Sequence, residues 1–254
     1  MNNRAAVIVQ ARMGSSRLPG KVMRDLNGRT VLRRVLERCA AIQGASYVCC
    51  AVPYGAADDV VAEEALRCGA HVTRGSETDV LKRYYEAARE LQADFILRVT
   101  SDCPLLDPHL ATQVLALVTE ASAEYACNNL PRVWPHGLDC EAFRYDWLER
   151  ADREAALPSE REHVSPFIRN HPNIKRLVLP GPPESLAHHR WTLDTEADLI
   201  FLRAVFERMP EGLETYCYRY PLSVVENEPE LIALNAPDAL GVPPGQSQPN
   251  HCGV

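Results

Sequence analysis

The sequence predicts an α/β fold with a mainly parallel sheet covered by helices on both faces. Short apolar runs alternate with helical patterns through the first half of the chain, and such alternation builds βαβ units. At 254 residues and 46% hydrophobic content the chain can bury a sizeable core as one large domain. No internal repeat or coiled-coil heptad competes with this arrangement.

The elements follow in order. Ala5 to Gln10 reads as the first strand, Thr30 to Ile42 as a helix, Tyr47 to Val52 as the second strand and Ala56 to Cys68 as the next helix. His71 to Thr73 makes a short strand, Asp79 to Leu91 a helix by its apolar spacing, Asp94 to Val99 a strand and Pro108 to Val118 a helix. The rhythm breaks after Asn128, where Pro131, Trp134, Pro135 and Gly137 precede a strand-like Leu138 to Phe143. That segment reads as a small insertion or edge hairpin. A helix is expected from Ser159 to Arg169, with Ser159 and Glu162 as its capping box. Strands at Ile174 to Leu179 and Arg190 to Leu193, then a helix from Thr195 to Glu207, complete the domain. From Ala236 onward Pro, Gly, Ser, Gln and Asn replace large apolar residues. This composition predicts a catalytic domain over 1–235 and a disordered tail over 236–254.

Charge and composition exclude several function classes. A net charge of −7 argues against a general nucleic-acid binder, whose affinity rests on clustered cations. Any phosphate site must be local. No run of 18 apolar residues appears, and Met1-Asn2-Asn3-Arg4 leads into only a short apolar stretch, so a cytoplasmic protein without a membrane partner is expected. The nine cysteines contain no C-x-x-C pair and are expected to be reduced core thiols.

The loop after the first strand, Arg12-Met13-Gly14-Ser15-Ser16-Arg17-Leu18-Pro19-Gly20-Lys21, puts three cations and two glycines within ten residues. Glycines admit a ligand close to the backbone, free amides form an anion-binding concavity, and Arg and Lys add charge-assisted hydrogen bonds to phosphate oxygens. Two rival phosphate motifs fail by counting. Five residues separate Gly14 from Gly20 and Val22 follows Lys21, so this is no P-loop, and G-x-G-x-x-G is absent.

The run from Val7 to Lys21 resembles the N-terminal signature of the CMP-sugar synthetases, a cytidylyltransferase family, and is most similar to its spore-coat-polysaccharide type. The family includes the synthetases of CMP-ketodeoxyoctonate and CMP-sialic acid. The likeness continues in Gly75-Ser76-Glu77-Thr78-Asp79-Val80-Leu81-Lys82-Arg83-Tyr84-Tyr85, Thr100-Ser101-Asp102-Cys103-Pro104-Leu105, Gly137-Leu138-Asp139, Arg161-Glu162-His163-Val164 and Trp191-Thr192-Leu193-Asp194-Thr195. It implies a Rossmann-like, GT-A-like nucleotidyltransferase in the form of a three-layer sandwich. It implies that Arg12 and Lys21 hold the triphosphate of CTP, within a nucleotide site of Ala11, Arg12, Met13, Gly14, Ser15, Arg17, Lys21 and Ser101, with Gly75, Ser76 and Asp79 near the nucleoside. The same resemblance suggests Asp139, Arg161, Glu162 and His163 for the acceptor, and a homodimer with Leu130 to Phe143 as its contact.

Asp102 follows one strand and Asp194 closes another, and ligands gather beyond the carboxyl ends of strands in an open α/β sheet. Such a pair suits Mg²⁺, with Mn²⁺ as the alternative, because Mg²⁺ takes one or two protein carboxylates and fills its octahedron with water and phosphate oxygens. Taken singly, each Asp reads as a helix cap or turn residue. Beside the cationic loop the two read as a metal site, with Arg12, Lys21 and Asp102 as the catalytic residues. The expected reaction transfers CMP from CTP to a hydroxyl of a 2-keto-3-deoxy sugar acid and releases pyrophosphate. The alternatives are a metal-dependent glycosyltransferase, a cytidylyltransferase acting on a phosphonate or other acid, and a nucleotide-sensing module that binds without turnover.

Overall fold

The computed structural model describes residues 4–236; the expected tail lies almost entirely outside them. Seven strands form one mixed, mostly parallel sheet in the order β3-β2-β1-β4-β6-β5-β7. The strands are β1 (Ala5–Gln10), β2 (Tyr47–Pro53), β3 (His71–Gly75), β4 (Phe95–Thr100), β5 (Tyr125–Cys127), β6 (Glu141–Arg144) and β7 (Arg176–Val178). The helices are α1 (Val31–Ala40), α2 (Asp59–Arg67), α3 (Val80–Glu90), α4 (Pro108–Thr119), α5 (Tyr145–Glu154), α6 (Pro158–His163), α7 (Pro166–Arg169), α8 (Glu196–Arg208) and α9 (Arg219–Asn227).

The pleat of β1 sorts its residues between two cores. Val7 and Val9 join Val35, Leu36, Val114, Leu115, Leu202 and Val205 from α1, α4 and α8. Ala6 and Ile8 join Leu81, Tyr84, Trp147 and Leu148 from α3 and α5 on the other face. Because alternate side chains leave opposite faces of a strand, one apolar run feeds both layers. The result is the expected three-layer sandwich.

Helix starts follow local chemistry. Thr30 accepts from the Arg33 amide at 3.0 Å and Asp79 from the Lys82 amide at 2.9 Å. Asp107 accepts from His109 and Leu110 ahead of α4, with Pro108 in the first turn. These bonds satisfy amides that have no partner inside the helix.

Four expectations are corrected by the structure. The segment ending at Phe143 is no edge hairpin, because β6 pairs antiparallel with both β4 and β5 inside the sheet. The helix drawn over Ser159 to Arg169 is two short helices, since Val164 adopts φ 70° and Pro166 has no amide to continue the first. Its start is fixed by the Glu160 carboxylate, which accepts from the Leu157 amide at 3.1 Å, rather than by Ser159 and Glu162. Arg190 to Leu193 is not a strand: Arg190 makes one isolated bridge to His136, and the Leu193 amide donates to the Asp102 carbonyl at 2.8 Å. No helix among the described residues is long and apolar enough to cross a membrane.

Candidate active site

The chain builds outward from β1 to β2 and β3, then returns to place β4 on the opposite side of β1. The connections leaving β1 and β4 therefore diverge at their carboxyl ends and leave a crevice, the usual ligand position in open α/β sheets. Gln10 and Thr100 are register partners there, which sets the loop starting at Ala11 beside the loop starting at Ser101. The Tyr84 hydroxyl donates to the Ile8 and Val99 carbonyls at 3.0 and 3.1 Å, joining both strands just below this point.

The loop after β1 is held by its own backbone. The Gly20 and Ser15 amides both donate to the Met13 carbonyl at 3.0 Å, and the Met13 amide donates to Asp58 at 2.6 Å. Gly20 sits at φ 68°, a left-handed conformation that a side chain disfavours. This turn delivers Lys21 into the crevice. Its ammonium donates to Asp102 Oδ2 at 3.0 Å, Asp194 Oδ1 at 3.0 Å and the Leu193 carbonyl at 2.7 Å.

Asp194 reaches Asp102 because the intervening segment is tied down at several points. Thr192 Oγ1 and the Leu193 amide bond the Asp102 carbonyl. Arg190 donates to Asp194 Oδ2 at 3.0 Å and bonds both oxygens of buried Asp198, whose carboxylate also accepts from the Asp194 and Thr195 amides. Thr195, not Asp194, caps α8. Asp102 caps no helix either, although it lies in the turn that the Cys103 amide closes onto the Thr100 carbonyl, so the capping explanation fails for both.

Burial lowers the Lys21 pKa, but Asp102 and Asp194 outweigh it and hold the ammonium above its ordinary value. Burial raises the Asp194 pKa, and Lys21, Arg17 and Arg190 more than reverse that. Opposite charges at this range favour both ionised forms.

The crevice holds a cavity of about 370 Å³, a volume in the range of small-molecule sites. Of the residues expected at the nucleotide and metal, Ala11, Arg12, Gly14, Ser15, Arg17, Lys21, Ser101, Asp102 and Asp194 line it, as do Glu162 and His163 from the acceptor set. Others stand back. Met13 turns its amide to Asp58, and Gly75 and Ser76 lie behind the wall. Asp79 caps α3 and is bonded by Arg161, which also holds Asp152 at 3.1 Å. Asp139 pairs with Arg132 at 2.7 Å and accepts from the Gly137 amide at 3.2 Å.

The sequence left out Arg83 and Arg98, which also line the cavity. Arg98 had a signal, being a charged residue inside an otherwise apolar strand; Arg83 had one too, as part of the Gly75 to Tyr85 run that resembles the family. Buried Glu141 pairs with Arg98 at 2.7 Å and accepts from Tyr125 and Ser165.

The oxygen donors at the crevice suit a hard divalent cation. Two carboxylates close on one point, and a ligand's phosphate oxygens with water can complete the shell.

Residues 6–206 match the cytidylyltransferase family. The spore coat polysaccharide biosynthesis protein SpsF of Bacillus subtilis is 31% identical over 214 residues, covering 80% of this chain and 87% of that protein. A cytidylyltransferase from Leptospira borgpetersenii is 30% identical and superposes with a TM-score of 0.85 over 92% of this chain and 98% of that one. CMP:2-keto-3-deoxy-manno-octonic acid synthetase, solved in complex with CTP, shares the fold at 19% identity and a TM-score of 0.60, over 81% of this chain and 99% of its own. The phosphate-suited loop, the crevice at the β1–β4 divergence and the extent of these matches lead to one conclusion: this chain belongs to the cytidylyltransferase family of CTP-dependent nucleotidyltransferases.

Proposed function

We propose that the chain transfers CMP from CTP to a hydroxyl of an acidic sugar of the 2-keto-3-deoxy class, releasing pyrophosphate. The observation that carries this is the meeting of Lys21, Asp102 and Asp194 in the crevice. In the reaction a bond forms between the acceptor oxygen and the α-phosphorus while the bond from that phosphorus to the bridging oxygen of the β-phosphate breaks.

Arg12, Arg17 and Lys21 neutralise the triphosphate and the departing pyrophosphate; Ala11, Gly14, Ser15 and Ser101 line the space that receives it, and Met13 holds the loop in place through Asp58 and the Gly20 and Ser15 amides. Positioning and charge neutralisation are the chief demands of such a transfer. Asp102 and Asp194 are assigned to Mg²⁺, with Mn²⁺ as its substitute; when bound, the ion supplies Lewis-acid charge stabilisation. Glu162 and His163 face the acceptor from α6. Arg161 and Asp139 act behind them, through Asp79 and through the Gly137 turn, and Gly75, Ser76 and Asp79 support the nucleoside side.

The proposal includes the domain over 1–235, a cytoplasmic location where CTP is at hand, and a homodimer. The name of the Bacillus subtilis relative favours a polysaccharide precursor as product. Pyrophosphate release, measured for each nucleoside triphosphate against a panel of 2-keto-3-deoxy sugar acids, is expected only with CTP and a subset of the acids. Release from no pair, or nucleoside diphosphate release from a nucleotide-sugar instead, would overturn the proposal.

A further inference from the structure

Arg83 is the cavity-lining cation that has no acidic partner. Arg12 faces Glu77 at 3.7 Å, Arg17 and Lys21 hold Asp194 at 3.0 Å, and Arg98 holds Glu141 at 2.7 Å. Arg83 is only 2% exposed, yet among the described residues it makes no ion pair. Its Nη1 donates to the Ser76 carbonyl at 2.9 Å, and its buried Nε has no hydrogen-bond partner.

A guanidinium with five donors and one filled carries a desolvation penalty that a neutral carbonyl does not offset. Burial lowers its pKa and the positive charge of Arg12 adds to that, while Asp58, near but not paired with it, and Tyr84 offset only part. Two cations that repel across a cavity are relieved together by an anion between them. Gly75 shapes the approach: a Cβ there would stand 3.0 Å from Arg83 Cγ, so the bare glycine lets the Arg83 stem lie against the end of β3.

We propose that Arg83 is a phosphate-contacting residue of the nucleotide site, reserved by its lack of a protein counter-ion for the triphosphate. The inference rests on the CTP assignment above. It gives Gly75 a role one step removed from the ligand, as the position that admits the Arg83 stem.

The test separates a ligand role from a structural one. CTP and inorganic triphosphate are titrated by calorimetry into the parent, Arg83→Met and Arg83→Lys, with thermal melts of each protein free of ligand. Arg83→Met should weaken both ligands about 10- to 100-fold, the range for a lost charged hydrogen bond. Its ligand-free melting temperature should hold or rise, because an unpaired buried charge has been removed. Arg83→Lys should recover part of the affinity while keeping the melting temperature.

Unchanged affinity in Arg83→Met would overturn the proposal, as would a loss accompanied by a lower melting temperature. A loss for CTP with none for inorganic triphosphate would place Arg83 at the nucleoside and overturn the phosphate contact. If Arg83→Met does not fold, Arg83→Lys decides by the same two titrations. A parent that binds neither ligand would bring down the CTP assignment itself.

Discussion

Lys21 can be probed by removing its charge or that of its partners. Lys21→Ala should cut pyrophosphate release by about 10²-fold or more, as expected when a charge donor to a transferring group is lost, while Arg17 and Arg190 still hold Asp194 and preserve the fold. Near-normal release from a folded variant would remove this loop from the triphosphate. Asp102→Asn and Asp194→Asn keep size and one oxygen but lose the charge that balances a divalent ion. Their activity should fall and recover in part at raised Mg²⁺, followed across a magnesium titration; two variants with the parent's activity and magnesium dependence would end the metal assignment. Most of these residues were legible because a dense cationic loop and two strand-end carboxylates stand out against a net charge of −7. Arg83 stands in a run that resembles the family, yet its part in the site was not legible. Its lack of a counter-ion is a fact of packing, and helical spacing alone makes it one more solvated Arg.

The segment from Arg190 to Asp198 works as a brace. Burial raises the Asp198 pKa, but Arg190 and the Asp194 and Thr195 groups reverse this and hold it below its ordinary 3.8. A carboxylate depressed in the folded state stabilises fully above its unfolded pKa and loses that stabilisation as pH falls through its folded pKa. Asp194 and Glu141 are depressed in the same sense, Glu141 chiefly by Arg98 against the opposing effect of burial. The melting temperature should therefore decline below about pH 4, where these carboxyls begin to protonate. At neutral pH Asp198→Ala should cost about 3 kcal/mol by denaturant melt, since it strips Arg190 and a helix cap at once. A loss under about 1 kcal/mol would make the brace dispensable. Gly137 sets the other side of the brace at φ 117°, where a Cβ would stand 2.5 Å from the Trp191 carbonyl carbon. Gly137→Ala should cost about 1–3 kcal/mol and loosen Asp194, read as a higher magnesium requirement. Elements with strong periodicity, from β1 to α4, were legible in order. The three-residue β5, the polar α5 and the break at Val164 were not, because short runs carry little period and a brace built on distant carbonyls leaves no repeat in the chain.

At the scale of the molecule, a largely local parallel half joins a half that must wait for its partners. Strands β1 to β4 pair with neighbours close in sequence, apart from one return across β1. Among the described residues β5 pairs with β6 and β7 alone, and β6 follows β5 in the chain although it separates β5 from β4. Phe143→Ala, at a fully buried position of β6, should speed amide exchange in β5, β6 and β7 together while β1 and β2 stay protected. Uniform acceleration across all seven strands would show a single cooperative unit instead. Placing β6 late has a further consequence. The glycine loop and Asp102 belong to the half that can assemble first, whereas Asp194 is positioned through the Gly137 turn that leads into β6. A chain paired only through β4 would carry the phosphate cradle without its second carboxylate, so CTP affinity measured against amide protection of β6 should report whether the later half of the sheet is in place.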